Sequence, residues 1–250
     1  YGASPATAGR TVWGADTTLG TASAALLATI LEGGSSADLL GNSIAYTIYD
    51  YGGTDLLNLS PMTVAVRIDL TPGRYSDIGG GTGNLGIALG TLIEEVTTGS
   101  GNDTILGNGV NNVLDGQGGD DRLDGQDGND RLEGRAGADT LLGGYGHDIL
   151  SGDDGDDSVE GGFGRDRAYL GLGDDHYTDT GQGGWLGADW VFGAAGNDRI
   201  DTGGGNDTLS GGGGNDTLIG GGDDDEIAGD AGFDLIFAGD GDDTVSGGAG

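Results

Sequence analysis

The sequence predicts an all-β protein: a parallel coil of very short strands over residues 98–250, preceded by a β-rich segment over 1–97. Three observations predict it. A nine-residue period runs through most of the chain after Thr98. One position of that period holds a lone apolar residue between variable neighbours, enough for a three-residue strand that points one side chain inward. The remaining positions are dominated by glycine and aspartate, residues suited to tight turns.

Composition sharpens the problem. The 250 residues carry 42 acids against 9 bases, all of them arginine, for a formal charge of −33, and 60 are glycine. Low hydrophobicity with high net charge is the composition of a disordered chain. A nucleic acid or an anionic membrane surface is a poor partner for such a chain, because both need basic residues. Cations are the natural counterpart. There is no cysteine, hence no disulfide, zinc–thiolate site or cysteine nucleophile. The longest apolar run, "ASAALLATIL" (22–31), reads as a short helix or a buried strand. It is half the ~20 residues a membrane helix needs and has no basic leader, so neither membrane insertion nor a signal peptide is expected.

Within 1–97, "SIAYTIYD" (43–50) and "TVAVRIDL" (63–70) read as strands. From Thr98 the register is G-G-x-G-x-D-x-U-x, with U apolar. Nine copies run from "TGSGNDTIL" (98–106) to "LGLGDDHYT" (170–178), "DTGQG" (179–183) breaks the register, and seven more copies run from "GWLGADWVF" (184–192) to "AGDGDDTVS" (238–246). The closing "GGAG" begins a further repeat, so a longer parent chain is expected. Position six is Asp in 15 of the 16 copies and Asn at Asn112; position four is Gly in 14, with Val110 and Asp223 the exceptions. A disordered tail has no need to keep phase this strictly.

Strand, turn, strand, turn takes 18 residues, so alternate copies stack and their strands lie about 4.8 Å apart. The position-six side chains then form one ladder along each edge. Neighbouring carboxylates at that spacing repel by about 0.9 kcal/mol in water and by about 3.5 kcal/mol at an effective dielectric of 20. A hard divalent cation between coils reverses the sign. Calcium accepts six to eight oxygens in flexible geometry, whereas magnesium is stricter and zinc prefers nitrogen or sulfur. Pairing copies two apart within each block predicts roughly twelve ions, which would bring −33 to about −9.

The nonapeptide resembles the RTX (hemolysin-type) repeats of secreted bacterial proteins, which form a right-handed parallel β-roll. The resemblance implies that each ion takes carbonyls and the Asp side chain from two stacked turns. The first such site is Gly99, Gly101 and Asp103 with Gly116, Gly118 and Asp121; one in the second block is Gly203, Gly205 and Asp207 with Gly220, Gly222 and Asp225. Side-chain ligands continue at Asn112, Asp130, Asp139, Asp148, Asp157, Asp166, Asp175, Asp189, Asp198, Asp216, Asp234 and Asp243. Carbonyl ligands continue in the first block at Gly119, Gly125, Gly128, Gly134, Ala136, Gly137, Gly143, Gly144, Gly146, Gly152, Gly155 and Gly161. In the second block they continue at Gly187, Gly196, Gly204, Gly211, Gly212, Gly213, Gly214, Gly221, Gly229 and Ala231. The site pairing Asn112 with Asp130 lacks one charge and is expected to be weaker.

Upstream, "YGASPATAGRTVWG" (1–14), "TIYDYGGTDLLNLS" (47–60), "RIDLTPGRYSDIGG" (67–80) and "GTLIEEVTTGSGND" (90–103) occur in order. Together they resemble the non-catalytic C-terminal module of serralysin-type zinc metalloproteases. This implies an adapter over 1–97 with its own calcium ligands: Thr7, Gly9 and Thr11 with Asp50, Gly52, Gly53 and Asp55 at one site, and Leu92 (by its carbonyl) with Glu94 at another. From the residues alone, "DYGGTD" is either a cation loop or a β-turn joining strands 43–50 and 55–60. The resemblance further implies an extracellular or cell-surface protein, the type I secretion apparatus as partner, and zinc only where a protease domain precedes Tyr1.

No catalytic residue is expected in this chain. A zinc protease of that type needs H-E-x-x-H, and the only histidines, His147 and His176, are followed by Asp and Tyr and read as solvated. Acid pairs such as Asp156–Asp157 recur with the repeat and fit the ladder better than a glycosidase site. "GGGTGNLG" (79–86) has no basic residue for a phosphate. Trp185 and Trp190 flank the break and read as core plugs rather than a sugar platform. The competing class is an RTX adhesin, surface-layer or filament protein, self-associating and lacking a protease domain; a third is a lipase or polysaccharide-modifying enzyme with an RTX tail.

Overall fold

A computed structural model describes residues 12–14, 46–49, 52–179 and 187–250. The run 22–31, Trp185 and the expected ligands Thr7, Gly9, Thr11 and Asp50 lie outside the described residues. Those described form strands and turns, with no helix among them.

The fold is a parallel β-roll of about eight turns. One sheet of eleven strands begins with Val12–Gly14, Leu56–Asn58, Glu95–Thr97 and Val113–Asp115, and continues through every second nonapeptide to Thr244–Ser246. The facing sheet of nine begins with Arg67–Asp69 and Thr104–Asn108 and runs to Leu235–Asp240. A small third sheet, Tyr46–Ile48, Leu85–Ile87 and Tyr75–Ser76, is attached near the start. The strands expected at 43–50 and 63–70 are present in shortened form. Tyr46–Ile48 and Leu56–Asn58 belong to different sheets, so the segment between them is a crossover and not the β-turn of a hairpin.

The apolar position fills the core between the two sheets. Leu57, Val96, Leu114, Leu132, Leu150, Ala168, Val191, Leu209 and Ile227 stand in register in one sheet, and Ile68, Ile105, Leu123, Leu141, Val159, Tyr177, Ile200 and Leu218 in the other, all buried. The column is a consequence of period: an inward residue every nine positions returns to the same rung every 18.

The five-residue break does not disturb this register. Ala168 pairs with Val191 and Tyr177 with Ile200, each 23 residues on, so the strands on either side keep the register of the coil. Trp190 therefore corrects the core-plug reading: the core residue is its neighbour Val191, and Trp190 lies half-buried on the outer face beneath Arg167, whose guanidinium carbon is 5.4 Å from the ring centroid. The core needs no plug where the register never shifts.

Glycine at position four has two reasons. Gly128, Gly137, Gly146, Gly155, Gly164 and Gly173 have φ between +132° and +143°, closed to ordinary side chains. A Cβ on any of the last five would also fall onto the position-four carbonyl of the coil before. Replacing Gly164 with Ala is expected to lower stability by about 2 kcal/mol or more. Gly222→Ala, where nothing lies within 4 Å and φ is not positive, should stay within about 0.5 kcal/mol. Chemical denaturation of both variants under identical conditions makes the comparison, and equal losses would refute this account of position four.

Two carboxylate ladders as a candidate metal array

The position-six residues line both edges of the roll. One edge carries Asp103, Asp121, Asp139, Asp157, Asp175, Asp198, Asp216 and Asp234; the other carries Asn112, Asp130, Asp148, Asp166, Asp189, Asp207, Asp225 and Asp243. Each aspartate after the first coil accepts, through Oδ1, the N–H of the position-six residue one coil earlier. Asp103 N–H donates to Asp121 at 2.7 Å, Asp121 N–H to Asp139 at 2.7 Å, and Asn112 N–H to Asp130 at 2.7 Å. The bond persists across the five-residue insertion, from Asp166 to Asp189 and from Asp175 to Asp198. The ladders therefore hold fourteen consecutive coil-to-coil intervals, two more than pairing within each block allows.

The second carboxylate oxygen is the informative one. Oδ2 of Asp121, Asp130, Asp139, Asp148, Asp157, Asp166, Asp175, Asp198, Asp207, Asp216, Asp225 and Asp234 is buried and meets no hydrogen-bond donor. In ten of these twelve copies it sits over the position-one glycine, so that a Cβ on Gly116, Gly134, Gly152, Gly211 or Gly220 would collide with it; the copies of Asp175 and Asp207 open instead on Leu170 and Thr202. In those ten copies the carboxylate lies where a position-one side chain would begin. Arginine does not neutralise these oxygens. The described ion pairs join Arg122 to Asp124, Arg131 to Glu133, Arg199 to Asp201, and Arg135 to Asp115, Glu133 and Asp153, all outside position six.

Burial without compensation raises proton affinity. Desolvation pushes Asp121 up to about 8, Asp130, Asp157, Asp166, Asp198 and Asp207 to about 7, and Asp139, Asp148 and Asp225 to about 6; the N–H bond to Oδ1 opposes this without reversing it. Asp103, Asp175 and Asp216 are raised by the same cause. Asp189 is raised by burial and by the charges of Asp166 and Asp179; its Oδ2 accepts the hydroxyl of the buried Tyr177 at 3.2 Å, a donor that the repeat does not supply elsewhere.

The expected carbonyl ligands lie in these same turns, but several already accept hydrogen bonds. The carbonyls of Ala136, Gly213, Gly222 and Ala231, at position three, take the N–H of the position-four glycine one coil earlier. A carbonyl keeps a second lone pair, so this does not remove them as ligands. Among the described residues no three His, Cys, Asp or Glu side chains gather into one metal-sized cluster. The carboxylates are instead spaced singly along each edge, with main-chain carbonyls around them. An all-oxygen set of that kind suits a hard cation and not a transition metal.

Upstream, the structure adds what the period did not reveal. Glu94 stands one coil before Asn112, and its Oε2 accepts the N–H of the buried Asp55 at 2.9 Å. "DYGGTDLLN" (50–58) and "LGTLIEEVT" (89–97) are degenerate copies, with an acid at position six, Asp55 and Glu94, and the core residues Leu57 and Val96 at position eight. Gly53, at position four, has φ +136°, within the range of the repeats. Gly52 and Leu92 are exposed, on either side of these turns. An outer ladder at position five also went unread. Oδ1 of Asn102 accepts Asp120 N–H, Asp156 accepts Asp174, and the exposed His147 accepts Arg165 N–H on Nδ1 at 2.9 Å. The signal was the recurrence of Asn, Asp or His at that position.

Fold and ladders together define a class: a parallel β-roll whose turns carry a periodic array of buried carboxylates. The family model "Peptidase M10 serralysin C terminal" matches residues 35–245, and the chain belongs to that family. It is 39% identical over 77 residues to metallopeptidase AprA of Pseudomonas marginalis, covering 31% of this chain and 16% of that protein. It is 41% identical over 71 residues to serralysin of Photorhabdus laumondii, covering 28% and 15%, and 41% identical over 64 residues to serralysin B of Dickeya chrysanthemi, covering 26% and 13%. These matches span less than a fifth of the relatives' own lengths.

The raised carboxyl groups make a signed prediction for protein stripped of metal. A folded-state carboxyl that holds its proton more tightly than the unfolded chain, near 3.8, favours folding at low pH. That contribution is fully present below about pH 4 and is lost as pH rises through 6 to 8. Circular dichroism in chelator should show β signal gained on acidification from pH 8 to pH 4.5, and a signal that falls on acidification would refute the assignment.

Proposed function

We propose that this chain is the non-catalytic C-terminal part of a secreted, serralysin-like metalloprotease, and that extracellular calcium drives its folding. One observation carries the calcium reading: twelve buried carboxylate oxygens without a hydrogen-bond donor, repeated in phase along both edges of the roll. Position-six side chains would hold the ions, with turn carbonyls at positions one to four completing the oxygen set. Bound calcium supplies positive charge and a flexible oxygen shell between coils. The chain's own residues do the rest: Oδ1 fixes each carboxylate to the neighbouring coil, the position-one glycine leaves room for Oδ2, and the core column keeps the coils in register.

Calcium then couples folding to location. Where free calcium is scarce, desolvated and mutually repelling carboxylates hold the chain open, a state suited to export through a type I apparatus. Outside the cell each filled interval adds RT ln(1 + [L]/Kd), about 1.4 kcal/mol at ten-fold excess over Kd. Gains in a repeat array propagate between neighbours, so folding is cooperative. Family membership and partial identity to serralysins support the protease as parent, with zinc belonging to its catalytic domain. A scaffold protein without a protease domain is the second reading, favoured by the length of the uninterrupted ladders. An H-E-x-x-H helix upstream of Tyr1 in the parent gene decides for the protease, and further repeats there decide for the scaffold.

Calcium titration of chelated protein at pH 7.5 is expected to give a steep, cooperative rise in β signal, with roughly a dozen ions bound by calorimetry. Asp148→Ala, in the middle of the second ladder, should shift the midpoint to higher calcium and reduce the cooperativity. A flat titration would remove the calcium reading.

A further inference from the structure

Asn112 breaks the rule of its ladder. Every position-six aspartate on its edge turns Oδ1 to the coil before and takes an N–H from it. Asn112 turns Oδ1 to its own turn, accepting Asn108 N–H at 2.8 Å, and directs Nδ2 to the coil before, 3.3 Å from both the Ile93 and Glu94 carbonyls. Asn108 adds a second amide, its Nδ2 donating to Ile93 O at 2.9 Å. Both asparagines are buried. Glu94, in the position-six place of that preceding coil, turns its carboxylate away to Asp55. At this junction carbonyl oxygens on one side face N–H donors on the other, and a carboxylate at 112 would set oxygen against oxygen.

The opposite edge of the same coil is also provided for. Asp103 takes Val66 N–H on Oδ1 at 2.8 Å and Gly99 N–H on Oδ2 at 3.4 Å. The first coil, 98–115, thus has no donorless position-six oxygen, whereas Asp121 to Asp175 each have one.

We propose that Asn112 is an amide substitute for a cation: it closes the interval between residues 89–97 and the first coil without metal, so that this coil docks on its own side chains and templates the ion-dependent coils that follow. The idea rests on the calcium reading above. A carbonyl-rich interval can be satisfied by a divalent ion or by a two-proton donor, and the primary amide is the smallest side chain that supplies two protons at the place of a carboxylate. Because repeat arrays grow from neighbour to neighbour, a coil that is already formed sets the end from which ordering spreads.

Hydrogen exchange resolved by residue, in chelator and in calcium, tests this on the wild type, Asn112→Asp and Asn112→Ala. In chelator the wild type is expected to keep slow exchange at Asn108 and Val113, whose N–H groups bond Asn112 and Glu94 O, while Asp121, Asp139 and Asp157 exchange fast. Both variants should speed exchange at Asn108 and Val113 by roughly tenfold or more in chelator. Asn112→Asp should bind one more calcium than the wild type, and Asn112→Ala should not. The proposal is overturned if either variant keeps wild-type protection in chelator, if wild-type Asn108 and Val113 exchange as fast as Asp139 there, or if Asn112→Asp leaves the ion count unchanged. Slow exchange of Asp121 to Asp157 in chelated wild type would instead remove the calcium reading, and the contrast between variants in chelator would still be measured.

Discussion

A buried carboxylate oxygen with no donor is the constraint on which this roll depends. One such group costs about 1–3 kcal/mol, and more when charged. Twelve of them, spaced along two edges with like-charged neighbours, match or exceed the roughly 5–15 kcal/mol that normally separates folded from unfolded chains. Among the described residues the ion-paired arginines, Arg122, Arg131, Arg135 and Arg199, bind acids outside position six and leave this charge unanswered. The proposed ions would supply the missing positive charge between coils. Much of the rest follows: the glycine at position one leaves space for the carboxylate, and the one at position four lets two backbones approach at a φ that other residues avoid.

The two side-chain ladders run in opposite senses. At position six a carboxylate takes an N–H from the coil before it; at position five an Asn, Asp or His side chain takes one from the coil after it. Each turn is thereby tied in both directions, which fixes coil spacing while the inner Oδ2 atoms are left without a donor. This division explains why position five tolerates His147 or Ala138: it needs an acceptor for one N–H near solvent, and water serves where the side chain does not.

Much of this was legible in the sequence because the period is strict. The short strands, the inward column from Ile105 to Ile227 and the two edges of aspartate followed from spacing alone. What was missed lay where composition hides geometry. Asp55 and Glu94 occupy position six of degenerate copies whose glycines have mostly been replaced, so the eye stops at Thr98 while the columns continue to Leu57 and Ile68. Trp190 read as core because it is large, yet the phase assigns the core to Val191. Asn112 read as a weakened aspartate, since one residue code carries no sign of which way the amide faces.

The insertion at 179–183 shows what the fold holds fixed. A loop of a few extra residues adds little closure entropy, since even doubling a loop costs only about 0.6 kcal/mol, whereas a one-residue slip of a strand would turn its core residue to solvent. The chain accordingly gives up contiguity and keeps the column: Ala168 meets Val191 and Tyr177 meets Ile200. The same logic accounts for residues 70–88, which leave the roll as the small third sheet and return at Glu95 in register with Leu114's strand. At both departures a side-chain donor meets the ladder on the eleven-stranded side, Asn112 after the longer excursion and Tyr177 at the shorter one, reaching the Ile93 and Glu94 carbonyls and Asp189 respectively. On the opposite edge no such donor intervenes: Asp198 takes the Asp175 N–H across the same insertion while its Oδ2 stays buried without a donor. The register of the coils, and not contiguity of the chain, is what the ladder requires.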